Sequence, residues 1–157
     1  MSAVEDRLAE LGLTVPDVAK PLAAYQPAVR DGNLVFTSGQ LPLVSGALAQ
    51  TGKVGDGEGL VPASEAKKLA ETCALNAIAA VKSVVPDLDK VTRVVKVVGF
   101  VASDPAFTGQ PGVVNGASEL LGKAFGEAGV HARSAVGVAV LPLDSPVEVE
   151  ITVSVQD

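Results

Sequence analysis

Residues 132–142 (ARSAVGVAVLP) and 144–150 (DSPVEVE) decide the fold of this chain. Both runs are rich in β-branched residues, and the polar segment between them contains proline, a pattern typical of two strands joined by a turn. The spacing therefore predicts an antiparallel hairpin. Because side chains alternate along a strand, Glu148 and Glu150 are predicted to share one face of the second strand.

The first strand carries a single charged residue, Arg133, and an arginine in an apolar run requires an anion. One interpretation is a structural ion pair with Glu148 or Glu150. The other is that Arg133 holds the carboxylate of a small substrate while a glutamate positions a water. In a simple hairpin Arg133 lies opposite about Ser154, and about 20 Å from Glu148 at about 3.3 Å per residue. A shared site would therefore need strong strand curvature or a neighbouring subunit.

The composition indicates a small protein with an unusually apolar interior. The 157 residues suit one domain, and 48% of them are hydrophobic. No apolar run reaches the roughly 18 residues of a membrane span, so we expect a sheet buried on both faces and therefore an oligomer. The N-terminal residues lack a signal-peptide pattern. The single cysteine, Cys73, excludes an internal disulfide and fits a reducing compartment, so the expected location is cytoplasmic.

Charge and motif content argue against several classes of partner and cofactor. The net charge is −6, and the 12 basic residues form no long block, which disfavours a nucleic-acid partner. There is no paired Cys/His spacing for zinc, no Walker loop and no Gly-rich dinucleotide fingerprint. The sequence thus predicts no metal and no cofactor, and neither nucleic acid nor membrane as a partner.

The rest of the chain shows alternating helix and strand patterns. The N-terminal part shows an amphipathic accessory helix over Val4–Leu11, an extended segment over Pro16–Pro27 and a hairpin about Asp31-Gly32. A Gly-rich mobile loop over Val44–Pro62 follows, with a short strand near Ala47–Lys53. The next elements are a helix capped by Ser64 and ending near Val84, a central strand over Val91–Ala102, an interrupted region at Gly109–Gly112 and a helix over Val113–Phe125. This order predicts an α+β layer with two main helices on one face of a mixed sheet.

Four residues within these elements have alternative roles. A lone tyrosine such as Tyr25 is more often a core or interface residue than a catalytic one. Cys73 falls in the apolar stripe of its helix, which indicates packing. Asn115 either hydrogen-bonds locally near its helix start or lines a site. His131 is either a hydrogen-bonded structural residue or a general base.

Three short motifs stand out, and together they span about Tyr25 to Val155. They are Tyr25 followed by Gly32-Asn33 and Thr37-Ser38-Gly39-Gln40-Leu41-Pro42; Val114-Asn115 at the opening of a helix; and Ala132-Arg133-Ser134 with Leu141-Pro142 and Val147-Glu148-Val149-Glu150. In this order they resemble the Rid (reactive intermediate deaminase, or YjgF-like) family. The resemblance predicts one Rid/YjgF-like domain over residues 1–157, with residues 1–20 as an accessory extension.

The resemblance implies a chorismate-mutase-like fold and a homotrimer with active sites in the clefts between subunits. It also implies cofactor-free hydrolysis of reactive enamines and imines, such as 2-aminoacrylate, to a 2-oxo acid and ammonia. Arg133 would bind the substrate carboxylate, assisted by backbone N–H groups near Gly39 and Ala135, and Glu148 would orient the attacking water. The other residues placed at the site are Tyr25 and Ser38, which would shape the pocket, and Asn115, which would line it across the subunit boundary.

The chain departs from the family pattern in ways that keep other functions open. Ala135 stands where many members have cysteine, so a backbone contact would survive there and a thiol role would not. One added residue between Asn115 and Arg133 shifts Asn115, and the longer N-terminal and Gly-rich segments place the chain near a long branch of the family. The alternatives are a non-catalytic trimer that binds small carboxylates or proteins, and the family's endoribonuclease activity, which the negative charge disfavours.

Overall fold

The computed structural model describes residues 1–18 and 23–157. In this part of the chain the helices are α1 (Ala3–Glu10), α2 (Ala63–Val84) and α3 (Gln110–Phe125). The strands are β1 (Ala28–Asp31), β2 (Leu34–Thr37), β3 (Leu43–Val44), β4 (Ala47–Leu48), β5 (Val91–Ala102), β6 (Ala132–Val138) and β7 (Val147–Val155). The predicted extended segment Pro16–Pro27 lies partly outside the described residues.

A five-stranded mixed sheet in the order β1-β2-β7-β5-β6 forms the body of the protein, and β3 and β4 form a separate ribbon. Strand β6 runs parallel to β5, and the other neighbours are antiparallel. Helices α2 and α3 pack on each other and on the same face of the sheet, and α1 packs against α3. The predicted α+β architecture, with two main helices on one face, is confirmed.

The predicted C-terminal hairpin is wrong, because β5 lies between β6 and β7. Arg133 pairs with Val97, which in turn pairs with Ile151 rather than Ser154. Helix α3 joins β5 to β6 and returns the chain to the starting end of β5, which makes the two strands parallel neighbours. A tight turn over Pro142–Asp144 then carries the chain across β5.

The other differences concern where elements begin and end. Helix α2 begins at Ala63 with Pro62 as its N-cap, and α3 includes the predicted interruption in its first turn. The strand predicted near Ala47 ends at Leu48. The loop after it is anchored by Val54, which is fully buried and forms bridges with Val61 and Ser103.

Strand β7 separates the two faces of the sheet. Its residues alternate strictly between buried and half-buried from Val147 to Val155, so Glu148 and Glu150 share the face opposite the helices, as predicted. Cys73 of α2 is fully buried on the helix side, which confirms its packing role. Burial, and then the charge of Glu148, raise the pKa of the Cys73 thiol well above its usual value, which leaves the thiol unreactive.

The sheet face opposite the helices, called here the open face, displays apolar side chains. Residues paired across neighbouring strands form a row that runs across the sheet. Val29 and Phe36, which are 52% and 42% exposed, lie in the row of Thr152, and Val136, which is 43% exposed, lies in the row of Glu148. No helix in the described residues has both the length and the apolar character that crossing a membrane requires. An apolar surface of this kind is typical of a protein interface.

Gly116 allows α2 and α3 to pack closely, because a Cβ there would collide with the backbone carbonyl of Lys67, whose carbon lies 2.9 Å from the Cβ position. We expect Gly116→Ala to lower the free energy of unfolding by about 2 kcal/mol through overpacking. Gly122→Ala in the same helix is the control, since nothing lies within 4 Å of its Cβ position. That control should be stabilised by about 0.5–1 kcal/mol. Chemical denaturation measures both, and equal effects would contradict the packing role of Gly116.

Candidate active site

Arg133 lies on β6 at the edge of the sheet, and its side chain reaches α3. Its row contains Val97 and Ile151, both buried on the helix side. The guanidinium Nη1 donates to Asn115 Oδ1 at 2.7 Å and to Ser118 Oγ at 3.2 Å, and Nη2 donates to the Pro111 carbonyl at 3.3 Å. Neutral acceptors therefore hold this cation in place.

The charge of Arg133 is not compensated within the described residues. No carboxylate there lies within 4.0 Å of the guanidinium, so Arg133 forms no ion pair with Glu148 or Glu150 of its own chain. A guanidinium has five N–H donors, and the contacts above account for three of them. The Nε–H and one Nη2–H have no partner in this part of the chain, and two such donors suit a bidentate carboxylate.

Helix α3 brings its polar residues to Arg133 because of two local features. Asn115 and Ser118 are three residues apart and therefore lie on the same side of the helix. Gly99 of β5 lets the helix approach the sheet, since a Cβ there would lie 2.6 Å from Cγ1 of Val114. Asn115 thus contacts Arg133 of its own chain, despite the added residue between them in the sequence.

His131 is hydrogen-bonded through both ring nitrogens. Its Nε2 lies 2.8 Å from Ser118 Oγ, and its Nδ1 lies 2.6 Å from the Gly129 carbonyl oxygen. Of the two predicted alternatives, these contacts favour the hydrogen-bonded structural histidine. Ser118 was not among the predicted site residues, although its position three residues after Asn115 is a signal that could have identified it.

Glu148 lies on the open face, beside the segment that carries Gly39. Gln40 exchanges backbone hydrogen bonds of 2.8 and 3.0 Å with Val149, which aligns this segment with β7. A Cβ at Gly39 would lie 2.8 Å from the carboxyl carbon of Glu148, and closer still to Oε1. The carboxylate of Glu148 therefore lies directly against the backbone of Gly39.

The environment of Glu148 favours its protonated form. Burial is the main cause, with the negative charge of Glu150 as the second, and together they raise the pKa of Glu148 above its usual value. A carboxylate with a raised pKa is a better proton acceptor than an ordinary one at neutral pH. Glu148 is thus better suited to accept a proton than an exposed glutamate.

Ser38 connects Gly39 to the segment that carries Tyr25. Its Oγ donates to the Gln26 carbonyl at 2.6 Å, and its backbone N–H donates to the Pro27 carbonyl at 2.8 Å. Tyr25, which directly precedes Gln26, is 50% exposed. Ser38 therefore joins the segment that follows Tyr25 to Gly39, which lies against Glu148.

The predicted site residues therefore form two groups within one chain. Arg133 and Asn115 lie on the helix side, where Ala135 shares a row with Gly99. Glu148 lies on the open face, in the row of Val136. On β5 the row of Arg133 passes through Val97 and the row of Glu148 through Phe100. These two rows are three residues apart, or about 10 Å along the strand at about 3.3 Å per residue. The hairpin-based separation of about 20 Å was wrong, but one chain still does not bring the two groups together.

Gly39→Ala tests the contact with Glu148. The added methyl must displace the end of a flexible side chain rather than backbone, so we expect a change in stability of less than about 1 kcal/mol. If the carboxylate position matters for the reaction proposed below, activity should fall about tenfold or more. Initial rates and denaturation midpoints measure the two effects. Unchanged rates would show that this close contact has no part in the site.

Two surface depressions lie away from these residues. One, of about 490 Å³, is lined by residues that include Glu5, Lys82 and Asp89. The other, of about 280 Å³, lies between α2 and α3 and includes Lys67 and Glu119. Neither contains a predicted site residue.

Comparison with known proteins gives consistent matches along the whole chain. Residues 5–154 match the family model described as "YjgF/chorismate_mutase-like, putative endoribonuclease". Protein TCP17 from Trypanosoma cruzi is 40% identical over 98% of this chain and 95% of its own. A crystal structure of a protein of unknown function from Agrobacterium tumefaciens is 46% identical, with a TM-score of 0.90 over 98% of this chain and 93% of that one.

The YjgF gene product of E. coli is more distant. It is 27% identical, with a TM-score of 0.62 over 90% of this chain and 94% of its own. The Agrobacterium protein is therefore the more similar of these two structures. Since the family model matches nearly all of it, this chain belongs to the YjgF/chorismate mutase-like family.

Proposed function

We propose that this protein hydrolyses reactive 2-imino acids and their enamine tautomers, of which 2-aminoacrylate is the simplest, to 2-oxo acids and ammonia. The observation that carries the proposal is the uncompensated guanidinium of Arg133, which neutral partners orient at a sheet edge. The same group would retain the carboxylate that every such substrate carries. No cofactor takes part in the proposed reaction.

A second copy of the chain would complete the site. Arg133 and Glu148 of one chain lie on opposite faces of its sheet. The exposed apolar residues of the open face, such as Val29, Phe36 and Val136, support its burial against a neighbour. We expect a homotrimer in which each cleft takes Arg133 from one protomer and Glu148 from the next.

Sedimentation equilibrium should give three times the chain mass of 15.8 kDa, and a monomer would contradict this arrangement.

In the proposed reaction a water attacks the imine carbon while Glu148 accepts one of its protons. The nitrogen gains a proton and the product is a tetrahedral carbinolamine. The carbon–nitrogen bond then breaks as the hydroxyl proton is transferred to the amine nitrogen, so the carbonyl forms and ammonia leaves. An imine is already electrophilic, so positioning of the water and proton transfer suffice for useful acceleration.

The functional test follows the decay of freshly generated 2-iminopropionate in a stopped-flow instrument. Decay should accelerate in proportion to protein concentration, with ammonia and pyruvate as products. Binding of pyruvate without acceleration would instead identify the non-catalytic carboxylate-binding alternative. Cleavage of RNA that persists after removal of trace nucleases would favour the activity in the family's description, which the net charge of −6 disfavours.

A further inference from the structure

We propose that Ser118 and His131 act as positioning residues that hold Arg133 ready for the substrate carboxylate. The proposal rests on the function proposed above and extends its site to residues outside the three motifs. The observation behind it is a continuous chain of hydrogen bonds from Arg133 through Ser118 and His131 to the Gly129 carbonyl, with distances of 3.2, 2.8 and 2.6 Å.

The direction of this chain follows from the donors and acceptors. Nη1 of Arg133 can only donate, so Ser118 Oγ accepts from it and its hydroxyl hydrogen is available for His131 Nε2. The Gly129 carbonyl can only accept, so His131 carries its proton on Nδ1. One neutral tautomer of His131 therefore satisfies every group in the chain.

The far end of the chain is anchored in the backbone. Gly129 is buried, and a Cβ there would lie 2.9 Å from the Leu121 carbonyl carbon. The turn over Gly126–Gly129 consequently packs closely against the last turns of α3. The hydrogen-bonded chain Ser118–His131–Gly129 carbonyl is called here the relay. Because it ends on a packed main-chain carbonyl, the relay holds the Arg133 guanidinium in a fixed position.

A serine beside a histidine also has the spacing of a nucleophile and its base. Two features favour positioning instead. Arg133 already donates to Ser118 Oγ. Ser118 also lies inside α3, where backbone N–H groups are engaged in the helix and cannot serve as an oxyanion hole.

The neutral relay predicts a specific kinetic signature. It orients the guanidinium without supplying an anion, so the charge remains available to the substrate carboxylate. A preorganised arginine loses less conformational freedom when the substrate binds. Because the carboxylate is held in both ground state and transition state, loss of the relay should raise KM and leave kcat nearly unchanged.

The experiment measures pyruvate binding by calorimetry, together with KM and kcat for 2-iminopropionate. We expect Ser118→Ala and His131→Leu each to weaken pyruvate binding about 5- to 20-fold, which is less than the full loss of a hydrogen bond to a charged group because Asn115 and Pro111 still hold Arg133. Ser118→Thr, which keeps the hydroxyl, should restore most of the affinity. Since both residues act through one chain, the double variant should be little weaker than either single variant.

The controls separate this inference from the proposed function. Ser83→Ala removes a helical hydroxyl that donates to the Ala80 carbonyl in α2, and it should bind pyruvate like the wild type. Pyruvamide, which lacks the carboxylate, should bind the wild type and Ser118→Ala equally. If Arg133→Ala binds pyruvate normally, the proposed function fails.

Two other outcomes overturn the inference alone. In the first, Arg133→Ala loses pyruvate binding while both relay variants keep it. In the second, Ser118 becomes covalently labelled by a fluorophosphonate in a reaction that requires His131. If Ser118→Ala does not fold, Ser118→Thr and His131→Leu decide the question through the same binding measurement.

Discussion

Arg133→Ala is expected to lower kcat/KM for 2-iminopropionate by about 10²- to 10⁴-fold. The variant loses two charge-assisted hydrogen bonds to the substrate carboxylate, each worth about 1.5–3 kcal/mol. The acceptors on Asn115 and Ser118 lose their donor as well, so neither compensates for the missing cation. Stopped-flow decay of the imine measures the effect, and circular dichroism establishes that the variant is folded.

Arg133→Lys is the matched comparison. Lysine keeps the positive charge but offers a point-like donor instead of a planar fork, so we expect a rate between those of wild type and Arg133→Ala. Wild-type kcat/KM in Arg133→Ala would remove the observation on which the proposed function depends. Equal losses in the two variants would show that fork geometry, rather than charge alone, retains the substrate.

Glu148→Gln is expected to lower kcat by about 10²-fold or more and to stabilise the folded protein at neutral pH. Glutamine cannot accept the proton of the attacking water, which removes the acid–base contribution. It also removes a carboxylate that burial disfavours in its charged form. Activity and stability therefore change in opposite directions.

The pH dependence of this stabilisation follows from the raised pKa of Glu148. Burial and the neighbouring Glu150 penalise only the ionised form in the folded state, so the cost is complete above the folded pKa. As the pH falls through the folded pKa toward the unfolded value of about 4.5, the cost disappears. The stability difference between Glu148→Gln and wild type should therefore be largest at neutral pH and vanish in acid.

Glu150→Gln is the control for both the activity and the pH dependence of Glu148→Gln. It removes the like charge that contributes to the raised pKa of Glu148, and it keeps the proposed base. The acid limb of the kcat/KM profile should move to lower pH in this variant, while most of the activity remains. A Glu148→Gln variant with wild-type kcat would assign proton transfer to another group.

The strands and helices could be predicted because their residue patterns are local. Strand β5 spans the predicted Val91–Ala102, and α2 ends at the predicted Val84. The alternation in β7 also placed Glu148 and Glu150 on one face correctly. These elements follow from burial of one stripe or one face, which the sequence records directly.

The pairing of strands could not be predicted in the same way. The short connection between β6 and β7 resembled a hairpin, but β5, which is distant in sequence, lies between the two strands. Local patterns of apolar and charged residues do not reveal such an insertion. The partners of Arg133 were missed for a similar reason. Arg133 contacts α3 because Gly99 admits Val114 closely to the sheet, a relationship between distant residues that depends on the assembled fold.

The close packing of Gly116 against Lys67 limits which residues can be changed to alter the substrate range. Asn115 precedes Gly116 directly and Ser118 follows it by two residues, so one helical turn serves both recognition and helix packing. Random libraries directed at this turn would consist mainly of poorly folded members. Diversity introduced instead at Tyr25, which is half exposed, would explore new side-chain specificities without disturbing this packing.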